Sequence, residues 1–258
     1  MIRQSAATRR ILFAIAIAIG LAAPSIPAVA QTPLPGGLVY LRDIDPTIEQ
    51  DIRYAGRDNF TGRALPGYDA AECILTRPAA AALKQVQADL AAVRLSLKVY
   101  DCYRPARATR AMVQWAHDGR SESGRFHPRL QKRSLLSGYI ASHSRHATGT
   151  AIDLTLVEVA HPAIAAFDPR AEYGACTGPA DKRSPDASLD MGTGYDCFDM
   201  LSHTNNAGVD AQARQRRRTL VSAMNRRGFR NYHREWWHFT FSGVGAVVPY
   251  DFAIAPRR

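Results

Sequence analysis

The chain is poor in cysteine, holding only Cys73, Cys102, Cys176 and Cys197. No two of them form a CxxC pair, which argues against a four-cysteine zinc site. Long apolar runs are also scarce. The one candidate, Ile11 to Ala23, is short for a membrane span and runs into Pro24 and Pro27, so no stable membrane anchor is expected once this segment is removed. Acidic residues are in the minority, 23 Asp and Glu against 33 Lys and Arg, for a formal charge of +10. Despite that excess, no segment has the pattern of a nucleic-acid-binding module, and no nucleic-acid partner is expected.

What stands at the N-terminus is a three-part pattern. Arg3, Arg9 and Arg10 precede the apolar run, and Ala28-Val29-Ala30 ahead of Gln31 is a small-residue cleavage pattern. This is the arrangement of a secretory signal peptide over residues 1–30, with 31–258 as the mature domain. The expected location is the periplasm or the exterior. The three leader arginines leave a mature charge of about +7 (10 − 3). Such a surface suits weak association with anionic cell wall, although a plainly solvated basic face accounts for it equally well. Export to an oxidising compartment makes the cysteines disulfide candidates. Four cysteines allow three pairings, and sequence proximity favours Cys73–Cys102 and Cys176–Cys197.

Along the mature chain, Leu38 to Asp45 reads as a strand or extended entry, and Ile48 to Tyr54 is ambiguous between strand and short helix. Tyr54 suits the core better than a site on pattern alone. Thr76 before Arg77-Pro78 starts a helix whose apolar face is Leu83, Val86, Leu90 and Val93. Leu95 to Tyr100 alternates as a strand and ends at Arg104-Pro105, before a helix carrying Met112, Val113 and Trp115. Pattern alone makes Arg104 an ordinary surface arginine. Residues 159–190 lack periodicity and hold several Pro and Gly, the mark of a long irregular excursion. Met191 to Asp196 is turn-rich and presents Asp196. A helix over Ala211 to Arg227 places Arg214, Arg216, Arg217 and Arg218 mostly on the solvated side and ends at Gly228.

The chemistry centres on Ser144-Arg145-His146-Ala147-Thr148-Gly149-Thr150-Ala151-Ile152-Asp153. A histidine, a glycine turn and then a strand follow in order. Ile152, Leu154 and Leu156 share one strand face, leaving Asp153 and Thr155 on the other, so the strand reads as half-buried. Imidazole and carboxylate are ordinary Zn²⁺ ligands, and a catalytic zinc takes three protein ligands while leaving one position open. Arg234-Glu235-Trp236-Trp237-His238 offers the third ligand, His238, and a carboxylate base, Glu235. In a regular strand those two would diverge. A bend or bulge near Glu235 is therefore predicted, with the strand starting at about Trp236. Of the remaining histidines (His117, His127, His143, His161, His203, His233), His143 and His233 are the rivals as ligands that spacing does not eliminate.

Ser144-x-His146-x-x-Gly149-x-Ala151-x-Asp153 with Glu235-x-x-His238 resembles the zinc signature of the D-alanyl-D-alanine dipeptidases, peptidase family M15. The resemblance extends to Tyr54-Ala55, Asp58 to Gly62, Asp101-x-Tyr103-Arg104-Pro105, Asp190 to Thr193 with Asp196, and Glu235-Trp236-Trp237-His238. It implies an α+β fold with a small central antiparallel sheet, flanked by helices, carrying one Zn²⁺ on His146, Asp153 and His238. It further implies Glu235 as general base and Arg104 as the stabiliser of the oxyanion, with Tyr54, Ser144 and Asp196 lining a pocket for a small D,D-dipeptide. Asp196 suits the substrate ammonium and Ser144 its polar end. The alternative within the same superfamily is a zinc D,D-carboxypeptidase or L,D-endopeptidase acting on longer stem peptides. Two features depart from the resistance-type members: the leader, and an excursion over about 160–189 that looks longer than in compact relatives.

Overall fold

The computed structural model describes residues 34–120 and 124–257. The leader reading, residues 1–30, lies outside the described residues. Among the described residues, seven strands form two sheets. Strands β1 (Leu38–Tyr40) and β3 (Ile74–Thr76) pair antiparallel as a ribbon. The main sheet runs in the order β2 (Glu49–Gln50), β4 (Leu95–Asp101), β5 (Ala151–Glu158), β7 (His238–Phe241), β6 (Phe229–Asn231). Its contacts are antiparallel except the parallel pairing of edge strand β2 with β4, so the expected antiparallel sheet is mixed at one edge.

Four α-helices among the described residues complete the α+β architecture: α1 (Leu41–Ile44), α2 (Arg77–Ala91), α3 (Ala106–His117) and α4 (Ala211–Arg226). Pro78 sits in the first turn of α2, where a missing N–H costs nothing. Leu83, Val86 and Leu90 are buried, but the helix stops at Ala91 and Val93 is 63 % exposed, outside the apolar face assigned to it. Asp210 caps α4 by accepting the Ala213 amide at 2.8 Å. Helices α2 and α4 pack on each other and against strands of the main sheet.

Strand β5 runs through the centre of this sheet, and every residue from Ala151 to Val157 is buried. The half-buried expectation fails because the face carrying Asp153 and Thr155 is covered too, by the site residues and the excursion. That excursion contains a single 3-10 turn, Ala180–Lys182, among its described residues. Its anchor is Asp186, which pairs with Arg53 and Lys98 and accepts the Tyr100 hydroxyl at 2.7 Å. Both expected disulfides are formed, Cys73–Cys102 and Cys176–Cys197. Arg217 overturns its assignment to the solvated side. It is 1 % exposed and donates to the carbonyls of Met191, Leu201 and His203, tying α4 to the loop that carries Asp196.

Candidate active site

Three neighbouring strands deliver one row of polar residues. Asp101 on β4 stands opposite Asp153 on β5, and Asp153 stands opposite His238 on β7. His146 reaches the same place from a 3-10 helix, Arg145–Thr148, immediately before β5. Ser144 caps that helix, its hydroxyl accepting the His146 amide at 3.2 Å. Gly149 ends it with φ +68, and a Cβ there would stand 2.7 Å from Leu38 Cδ2. The turn that aims His146 therefore needs glycine for backbone and space alike.

His146 Nε2 lies 3.1 Å from His238 Nδ1 and 3.3 Å from Asp153 Oδ1, which is 2.9 Å from His238 Nδ1. Three donors around one tetrahedral ion at about 2 Å would stand roughly 3.3 Å apart, so the observed triangle fits Zn²⁺ in size and chemistry. The protonation pattern fits as well. His146 Nδ1 is 2.7 Å from the Cys102 carbonyl, which only accepts, so Nδ1 carries the proton and Nε2 offers its lone pair. Burial lowers the pKa of His238, favouring the neutral imidazole that binds a metal. Burial opposes ionisation of Asp153, but the two histidines outweigh it and hold its carboxylate well below the usual range. Among the described residues these three form the only His/Cys/Asp/Glu group close enough to hold a metal. His143 and His233 are not part of it.

The bend expected near Glu235 is present, as a turn and not as a strand bulge. Residues 232–235 form a turn in which the Glu235 amide donates to the Tyr232 carbonyl, and the strand begins at His238, two residues later than predicted. The Asn231 side-chain amide closes this turn by donating to the Glu235 and His238 carbonyls, each at 2.9 Å. The turn swings Glu235 onto the same side as His238, with Oε2 3.9 Å from Nδ1. Burial, reinforced by Asp153 and Asp196, raises the Glu235 pKa well above its ordinary value.

Arg104 is not a surface residue. Its guanidinium pairs with Asp101 at 2.8 Å, reaches to 3.6 Å from Asp153 Oδ2, and lies 4.9 Å over the Tyr54 ring. Tyr54 is fully packed and still belongs to the site, its hydroxyl donating to Asp196 at 2.8 Å. Asp196 has φ +55, and burial together with Asp153 pushes its pKa up to about 8. Tyr54, Arg104, Ser144, His146, Asp153, Asp196, Glu235 and His238 all line one cavity of about 390 Å³. Sequence reading assigned no role to Asp101, Asn231 or Tyr195. Tyr195 donates to Asp153 Oδ2 at 3.0 Å, and only the tertiary fold brings the two together.

An α+β sheet that presents two imidazoles, a carboxylate and an adjacent second carboxylate to one cavity defines a metallohydrolase type of site. The particular family follows from comparison. Residues 35–167 and 182–254 match the Peptidase M15 family, described as D-ala-D-ala dipeptidase, and the chain belongs to that family. It is 31 % identical over 206 residues to a D-alanyl-D-alanine dipeptidase of Enterococcus faecalis, a match covering 79 % of this chain and 90 % of that protein. It is 32 % identical to one of Enterococcus faecium with the same coverage, and 31 % identical to one of Streptomyces coelicolor across 85 % of this chain and 99 % of that protein. The unmatched stretch, 168–181, falls inside the long excursion.

Proposed function

We propose that this chain hydrolyses the dipeptide D-alanyl-D-alanine to D-alanine, using one Zn²⁺ held by His146, Asp153 and His238. The observation that carries the reading is the donor triangle, with edges of 2.9–3.3 Å, in the same cavity as Glu235, Arg104 and Asp196. A bound Zn²⁺ supplies Lewis acidity and brings the pKa of a water toward neutrality. Glu235, buried beside His238, takes the proton of the water whose oxygen attacks the peptide carbonyl carbon. It then returns that proton to the leaving amine nitrogen as the C–N bond breaks. Its raised proton affinity suits a group that must hold a proton between those two steps. Arg104, aligned by Asp101, offers its guanidinium to the oxyanion.

Substrate selection rests on charge. Asp196 is a costly buried acid until a cation arrives, and the substrate ammonium is the counter-charge that would hold it ionised beside the Tyr54 hydroxyl. A peptide acylated or extended at its N-terminal side brings no ammonium to that position and leaves Asp196 unpaired. Ser144 lines the same cavity, which supports assigning it to the polar end of the substrate.

The leader pattern and the two disulfides support export, with the dipeptide drawn from wall turnover or used as a nutrient. The test follows amine release by the mature chain from D-Ala-D-Ala, L-Ala-L-Ala, N-acetyl-D-Ala-D-Ala and a muropeptide pentapeptide. Cleavage of the free D,D-dipeptide alone, abolished by a chelator and restored by Zn²⁺, is expected. Preference for the blocked or longer substrates would replace the dipeptidase reading with a wall carboxypeptidase or endopeptidase.

A further inference from the structure

Asp153 presents only one oxygen to the histidines. Oδ1 faces His146 and His238, while Oδ2 turns away and accepts the Tyr195 hydroxyl at 3.0 Å. The other donor near Oδ2 is the Arg104 guanidinium, at 3.6 Å, which is already committed to Asp101 at 2.8 Å. Tyr195 is therefore the closest donor to the oxygen that does not face the histidines.

The tyrosine ring is held on two sides. It stacks on Tyr100, with centroids 4.4 Å apart and planes inclined by 17°, and meets Trp237 edge-on at 5.6 Å. Tyr100 is fixed in turn, donating to Asp186, which Arg53 and Lys98 hold in place. A series of packed and hydrogen-bonded groups thus runs from the excursion through Tyr100 and Tyr195 to Asp153. Packing alone would be served equally by phenylalanine. The hydroxyl is the part that packing does not use.

We propose that Tyr195 is a positioning residue that fixes Asp153 as a one-oxygen ligand by occupying Oδ2, leaving coordination space for water and substrate. The proposal rests on the reading of His146, Asp153 and His238 as a Zn²⁺ site. Without the hydroxyl, Oδ2 is a buried oxygen lacking its donor. It then swings toward Arg104, pulling Oδ1 off line, or turns inward as a second ligand oxygen. Either movement changes metal affinity and coordination while the tyrosine's packing partners stay in place.

The test compares the wild-type mature protein with Tyr195→Phe by Zn²⁺ titration against a chromophoric chelator. The variant is expected to bind Zn²⁺ about 10–100-fold more weakly, while the metal-free protein still unfolds in one cooperative transition. Affinity within about twofold of wild type would overturn the proposal, since outer hydrogen bonds to ligands ordinarily weigh more than that. A second measurement covers a variant whose metal-free form is destabilised. Co²⁺-loaded wild type and Tyr195→Phe are compared by visible absorption, where a changed band pattern reports altered coordination and identical spectra count against Tyr195. If wild type itself binds no Zn²⁺, the metal-site reading fails first, separately from the role of Tyr195.

Discussion

At the scale of single residues, the proposed mechanism divides metal holding from proton transfer, and variants should separate the two. Glu235→Gln keeps the shape of the turn and leaves the donor triangle intact. It is expected to bind Zn²⁺ as wild type does while losing about 10²–10⁴-fold in kcat, measured by amine release beside metal content. His238→Ala removes one corner of the triangle and is expected to lose the metal itself. Full activity in the glutamine variant would end the base assignment. These residues were legible in the sequence because each lies within a short local pattern. His146, Gly149 and Asp153 are spaced by one turn and one strand, and Glu235 precedes His238 by three. Tyr195, Asp101 and Asn231 were not legible, because their roles depend on partners brought in by sheet pairing or by distant loops. Arg104 was misjudged by pattern alone because an arginine at a strand end carries no mark of burial, and its resemblance to a family motif supplied what periodicity lacked.

At the scale of elements, the short helix before β5 sets where His146 points. Gly149→Ala must place an L side chain at φ +68 and within 2.7 Å of Leu38 Cδ2. The expected cost is about 1–3 kcal/mol, measured as a lower denaturant midpoint, and Zn²⁺ affinity should fall with it. Periodicity marked most of the strands and helices, though not β3 or β6, and strand geometry called for a bend near Glu235 without giving its form. Glu235 and His238 converge through a tight turn closed by Asn231, a hydrogen-bonded feature invisible to hydrophobic alternation. Arg217 shows the same limit on a helix. Its place in a run of arginines suggests solvent, yet each of its three guanidinium nitrogens donates to a backbone carbonyl in the interior.

At the scale of the whole molecule, one ionic junction ties the excursion to the sheet and should govern acid stability. Burial disfavours the Asp186 carboxylate, but Arg53 and Lys98 outweigh it and hold its pKa down to about 2. A carboxyl whose folded pKa lies below its unfolded value of about 3.9 stabilises the fold above that value. The contribution drains away as pH falls from about 4 toward 2. It amounts to roughly 2 kcal/mol. Unfolding measured from pH 6 to pH 2 should show this loss in wild type and a flatter profile in Asp186→Asn. A second whole-molecule prediction concerns the cross-links. Replacing Cys73 and Cys102 by serine is expected to cost about 2–5 kcal/mol, read from the thermal or denaturant midpoint.

The placement of those cross-links has a further consequence. Cys102 contributes the carbonyl that orients His146, and Cys197 directly follows Asp196. One bridge thus braces the wall that holds His146 and the other the wall that holds Asp196. Reducing both bridges should therefore loosen the two walls together, making the shape of the cavity sensitive to the redox state around the chain.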